Sequence, residues 1–239
     1  MNHTLIALIF LAGGFTQGVS GFGSGLLAMP LLLFFIDVKE AVPLAMLNGI
    51  VITSMLSIKL RHHVDRNKVM PIFFGSLPGI VVGALFLKGA DSDLLKGLLG
   101  LLLVSYTLYS LLLKPHPRQV AGAWGYLAGF ATGVIGAAFS AGGPPTIIYS
   151  TLRGWSKDEI KATLSAFFWA NGVLVAVSHA VQGLTTSTVL SYFSASALPV
   201  MTGVWLGSRL YGVIPRRLYL TIILLLLLAM GLLMVATSL

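Results

Sequence analysis

Long apolar stretches separated by short charged clusters decide what this chain can become. They run approximately 4–36, 41–60, 69–88, 95–113, 121–151, 160–183, 189–209 and 218–238. Apolar residues make up 56% of the 239 and charged residues only 9%, against about 25% charged in soluble domains. So few charges cannot cover a water-facing surface, which excludes a soluble enzyme, a disordered regulator and a coiled coil. A polytopic membrane protein is expected. The formal charge of +8 then reads as Lys and Arg in cytoplasmic loops rather than as a nucleic-acid surface. There is no cysteine, so disulfides and thiolate chemistry are absent. The opening MNHTLIALIFLAGGF lacks a basic flank and a small-residue cleavage site, and is expected to stay in the mature protein.

Six of the stretches have the roughly 20-residue length of a transmembrane helix. The other two, 4–36 and 121–151, are too long for one crossing, and glycine interrupts both, at 13–25 and 129–145. They also copy each other: Gly14, Gly18, Gly21 and Pro30 recur as Gly129, Gly133, Gly136 and Pro145, each 115 positions later. Leu77-Pro78 recurs as Leu198-Pro199 and Asn48-Gly49 as Asn171-Gly172. One transmembrane domain over 1–239 is therefore expected to hold two repeats, about 4–113 and about 121–238.

Charge bias orients them. If each long segment crosses once, the two sides of the membrane carry 6 and 9 basic residues. If each enters and returns as a hairpin, loops 59–68, 114–120, 152–161 and 209–217 share one side with 12. The other side keeps Lys39, Lys88 and Lys96. The second arrangement obeys the positive-inside rule, inverts the repeats and puts both termini outside the cytoplasm. Arms of about 15 residues span about 23 Å, short of a 30 Å hydrocarbon core, so their tips stop inside the membrane. The expected fold class is an all-α polytopic membrane protein with an inverted internal repeat. Each unit is a Gly-rich broken hairpin plus three transmembrane helices, giving about 8–10 membrane segments.

All seven acidic residues fall in loops by this reading, which leaves no carboxylate at membrane depth for proton or cation coupling. Backbone carbonyls alone could still hold a sodium ion. The tips offer the opposite chemistry. Helices restarting after GFGSG and SAGGPP would aim free N–H groups and positive dipole ends inward. Ser20, Gly21, Gly23, Ser24 and Gly25 at one tip, with Ser140, Gly142, Gly143 and Pro144 at the other, are the candidate anion-binding residues. Asn48, Asn171 and Trp169 join them from the adjoining helices. Close helix packing is the competing explanation for the glycines, and helix-to-helix bonding for the asparagines. His179 reads as an interfacial histidine facing headgroups. No metal or cofactor is called for. Gly18-Val19-Ser20-Gly21 also has the form used by intramembrane serine proteases, with His179 as a base. The second copy keeps the glycines and drops that serine, as architecture would.

Taken together, GVSGFGSGLLAMP (18–30), SAGGPPTIIY (140–149), VKEAVPLAML (38–47), WSKDEIKATLSAF (155–167), LPGIVVGALF (77–86) and ALPVMTGVWLG (197–207) resemble the sulfite exporter TauE/SafE family. The resemblance covers nearly the whole chain. It implies a transporter of small sulfur-containing anions, such as sulfite or organosulfonates, in the bacterial inner membrane. The expected partners are that anion or an organic acid and the lipid bilayer, with no nucleic acid; a homo-oligomer is left open. The leading expectation is export by alternating access, with an importer or channel, and then the serine hydrolase, as alternatives.

Overall fold

A computed structural model describes residues 3–112, 120–211 and 216–238. The basic positions Lys114, Arg118 and the 212–215 part of loop 209–217 lie outside the described residues. Among the described residues, ten α-helices follow one another: α1 His3–Ser20, α2 Ser24–Leu32, α3 Val38–Leu60, α4 Arg66–Gly89, α5 Ser92–Leu112, α6 Trp124–Phe139, α7 Gly143–Leu152, α8 Lys157–Val181, α9 Ser187–Arg209 and α10 Arg216–Thr237. A 3-10 turn at Arg61–His63 extends α3, and the described residues contain no strand. Among the described residues, six helices are long and apolar enough to cross a membrane, namely α1, α3, α4, α5, α8 and α9. Large apolar side chains such as Leu112, Val181 and Leu198 stand exposed on the outside of the bundle, where lipid replaces water as solvent.

Both glycine-rich segments turn back on themselves. Gly13 packs against Ser24 and Ala28, so α2 returns antiparallel along α1. Gly125 lies against Tyr149 and Gly142 against Thr132 and Gly136, so α7 returns along α6 in the same way. The arms are unequal, a correction to the 15-residue expectation. Helix α1 has 18 residues and α2 only 9, or about 27 and 14 Å at 1.5 Å per residue. Helices α6 and α7 have 16 and 10.

Small residues set which helices touch. A Cβ on Gly14 would come 2.5 Å from the Val200 carbonyl oxygen and one on Gly18 2.6 Å from that of Val204. Gly203 and Gly207 press back on Leu11 and Phe15, so α1 runs parallel to α9 with backbone on backbone. The same thing happens between α4 and α6. Gly75, Gly79 and Gly83 meet Tyr126, Phe130 and Val134, while Gly129 and Gly133 meet Ile72 and Ser76. In hydrocarbon, such close approach supplies the dispersion contact that drives helix association. Gly14, Gly18, Gly129 and Gly133 therefore serve packing. Helices α5 and α10 run antiparallel, with Gly97 at Ser238 and Gly100 at Gly231. Helices α3 and α8 do too: Gly172 meets Met46 and Ile50, and the 3-10 turn that follows α3 still packs on α8, which a parallel course would carry past its end.

Polar ties join the helix ends. Lys68 Nζ sits 2.6 Å from Glu159 Oε1, and Tyr211 donates to Asp158 at 3.1 Å. The ends of α3, α7 and α9 and the starts of α4 and α8 thus share one face. Lys39 Nζ donates to the Lys88 carbonyl at 3.1 Å, tying the start of α3 to the end of α4. Asp37, Asp65 and Asp91 lie just outside helices, while Glu40, Asp93, Asp158 and Glu159 fall in first helical turns rather than in loops. Asp37 and Asp65 cap α3 and α4, and Glu159 closes a capping box with Ser156, where the helix dipole favours negative charge. Burial works to raise the Asp37 carboxyl, yet the Ser92 hydroxyl, the Lys39 backbone N–H and the Lys96 and Lys39 ammoniums hold it below the ordinary value. Two further positions depart from expectation. His179 is wholly buried rather than facing headgroups, with its Nε2 2.9 Å from the Ala137 carbonyl. Lys161 is helical and buried rather than in a loop.

Candidate functional site

The first tip is a tight reversal. Gly21 and Gly23, at φ 89° and 98°, take left-handed conformations that a side chain would oppose. The Ser20 hydroxyl is shared between the carbonyls of Thr16 and Phe22, and it accepts from the Phe22 N–H at 3.3 Å. Ser20 therefore holds the turn. Its proton goes to backbone oxygen rather than to a histidine, and His179 is occupied at Ala137. The arrangement needed to activate a serine nucleophile is not assembled here.

Helix α2 begins at Ser24 with no side chain capping it. The Gln17 Oε1 accepts from both the Ser24 N–H and the Ser24 hydroxyl. Two donors on one atom fix the amide so that its NH2 is turned away from Ser24. The first intrahelical bond goes from Leu27 N–H to the Gly23 carbonyl, so the Gly25 and Leu26 N–H groups are left over in the first turn. Ser24 is thus an anchor for Gln17, and Gln17 is the donor that sequence reasoning missed. A conspicuous run of glycines drew attention past a single glutamine in the preceding turn.

The second tip differs. Ser140 ends α6 at φ 52° and is the only non-glycine at positive φ among the described residues. That conformation costs an L-residue about 1 kcal/mol or more, and strain of this kind gathers at ligand clamps. Helix α7 starts at Gly143, followed directly by Pro144 and Pro145. Two prolines remove two N–H groups from the first turn. The first turn of α2 carries no proline, so the first tip is the richer in backbone donors.

The two tips meet. A Cβ on Gly25 would collide with the Ser140 carbonyl oxygen. Around this contact lies a cavity of about 80 Å³, lined by both tips and by α1, α3, α6 and α8. Gln17, Ser24, Ser140 and Thr53 supply polar groups, and Phe22, Met46 and Phe168 supply apolar wall. Of the residues expected from sequence, Gly23, Ser24, Gly25, Ser140, Gly142 and Gly143 line it. Ser20 and Gly21 line a second cavity instead. Pro144 is buried in α7 outside the lining. Asn48 is wholly buried and donates to the Leu44 carbonyl and the Ser196 hydroxyl, tying α3 to α9. Asn171 sits behind Gly136, with a buried oxygen that has no partner. Trp169 is 45% exposed, and its neighbour Phe168 reaches the cavity.

Known proteins carry the same pattern. The sequence model of the family described as Sulfite exporter TauE/SafE matches residues 5–234. The chain belongs to the sulfite exporter TauE/SafE family. One TauE/SafE relative is the "Probable sulfite/organosulfonate exporter TauE" of Cupriavidus necator, 27% identical over 206 residues, covering 83% of this chain and 80% of the relative. Another is the "Probable membrane transporter protein YunE" of Bacillus subtilis, 22% identical and covering 91% of this chain and 90% of the relative. No solved structure matches. Family membership and six membrane-length apolar helices make this TauE/SafE chain a multi-pass membrane transporter.

Proposed function

We propose that the chain exports a small anion, sulfite or a related organosulfonate or organic acid, across the cell inner membrane by alternating access. The observation that carries this is the meeting of two hairpin tips, Gly25 against Ser140, around a cavity lined by donors and by no carboxylate. The Gln17 amide and the Gly25 and Leu26 N–H groups would hold the oxyanion. Gly143 and Ser140 would complete the shell from the other tip. Helix N-termini stabilise an anion without a fixed counter-charge, so the anion is held and released as the tips part. The name of the Cupriavidus necator relative supports the substrate class.

Two inverted halves would provide the motion. The antiparallel pairs α3 with α8 and α5 with α10, and the exchanged parallel pairs α1 with α9 and α4 with α6, are what an axis in the membrane plane produces. Rocking one half against the other exposes a fixed midplane site to each side in turn. The basic ends tied by Lys68 and Glu159 would face the cytoplasm, and both termini the outside.

No acidic side chain among the described residues is buried, so an anion moving down its electrochemical gradient is the simplest energetics. A negative interior helps expulsion by about 2.3 kcal/mol per charge per 100 mV. The test is sulfite and methanesulfonate flux in proteoliposomes under an imposed potassium-diffusion potential. Saturable efflux with counter-flow, accelerated when the anion-containing side is negative and indifferent to pH or sodium gradients, is expected. Non-saturating flux would make the protein a channel. Uphill transport driven by a pH gradient alone would sink the uncoupled mechanism.

A further inference from the structure

A single charged side chain is buried against the first tip. Among the described residues, Lys161 is the only Lys, Arg, Asp or Glu buried in the bundle, at 8% exposure. Its Nζ donates to the Gly18 carbonyl at 3.0 Å, in the last turn of α1. The same ammonium stands 3.7 Å from the centre of the Tyr211 ring. Its stem lies across Gly21, where a Cβ would come 2.9 Å from Lys161 Cγ. An amine at the end of α1 satisfies a carbonyl that the helix leaves open. That role accounts for the hydrogen bond but not for the space beside it. A cavity of about 50 Å³ opens there, room for a small oxyanion, with Ser20, Thr151, Tyr211 and Lys161 on its polar side. Its apolar side is Ile147, Ile160 and Leu164.

We propose that this cavity is a second anion subsite, in which Lys161 and the Tyr211 ring edge receive an oxyanion head and the three aliphatic residues receive a short organic tail. A small organosulfonate has both parts. Phe22 lines this cavity and the central one, so the side chain at the apex of the first tip is the wall between them. Residues flanking the ends of α7 and α9 place the subsite on the face of the Lys68–Glu159 tie. Asp158 is exposed and is engaged by the Tyr211 hydroxyl. An anion arriving there competes with the Gly18 carbonyl for the ammonium, which loosens the hold of Lys161 on the tip. As a waiting position on a transport route the subsite rests on the transporter reading; as a binding site it stands by itself.

The test is calorimetric titration of the purified protein in lipid nanodiscs with methanesulfonate as probe. Wild type should show two binding events, of which Lys161→Gln weakens one at least tenfold while Gln17→Leu weakens the other. Because the chain has no cysteine, Lys161→Cys can be rebuilt after folding. An aminoethyl methanethiosulfonate adduct should restore the event, and a neutral methyl adduct should not. Unchanged binding in Lys161→Gln, or equal rescue by both adducts, would overturn the subsite in favour of a packing role. Flux assayed on the same preparations separates the two readings. Absent flux with Lys161-dependent binding intact removes transport alone, and saturable flux without that binding removes the subsite alone.

Discussion

The Cα of Gly25, second residue of α2, rests on the carbonyl oxygen of Ser140, last residue of the second hairpin's first arm, with no room for a methyl group between them. Two chain reversals 115 residues apart in sequence are thereby fixed against each other.

Gly25→Ala should force the tips apart. Overpacking against backbone costs about 1–3 kcal/mol, so membrane-inserted protein should persist with a lowered melting temperature while anion flux falls tenfold or more. Gly122→Ala is the control, since nothing lies within 4 Å of that position. Equal flux in the two variants would show that tip contact is dispensable.

Gln17 should matter more than the serine that anchors it. Loss of a donor to a buried ligand costs about 1–3 kcal/mol, so Gln17→Leu should weaken methanesulfonate binding roughly 5- to 150-fold. Gln17→Glu should weaken it further, by placing a like charge in the cavity. Ser24→Ala frees the glutamine and should cost less than either. Titration of the three variants ranks them, and an order reversed between Gln17 and Ser24 would return the role to the serine.

Asn48 should behave as a brace. Its amide donates to Ser196 at 2.9 Å, and buried interhelical bonds of this kind contribute about 0.6 to 2 kcal/mol. Asn48→Ala and Ser196→Ala should each lower thermal stability, and the double variant should lose less than the sum of the two. Anion affinity should stay at the wild-type value. A drop in affinity without a drop in stability would place Asn48 in the site after all.

Single cysteines at Asp65 and Asp158 should label from the same face of intact cells. Lys68 and Glu159, which flank them, are 2.6 Å apart. A cysteine at Asp93 should label from the opposite face. Opposite labelling of the first two would invalidate the inverted arrangement.

How much was legible in the sequence depended on how local the cause was. The scarcity of charge determined a membrane-spanning helical bundle, because hydrocarbon solvates neither charge nor unpaired backbone. Glycine runs located the two reversals, because left-handed turns at Gly21 and Gly23 need a residue without a Cβ and Gly142 packs too closely on Thr132 to carry one. The family pattern was legible for the same reason, as its motifs are those turns and packing surfaces. Only the tertiary structure decided what each polar side chain faces. Helical periodicity put Trp169 and Phe168 one residue apart, and packing turned one outward and the other to the cavity. Gln17 became a donor only when Ser24, seven residues on, took its oxygen. Lys161 looked like one more loop charge, yet the first hairpin settles over it and buries it against Gly18 and Gly21. Reversals and solvent class follow from each residue's own backbone and side chain. Burial and partners follow from which helices come together, and that is fixed only when all of them have.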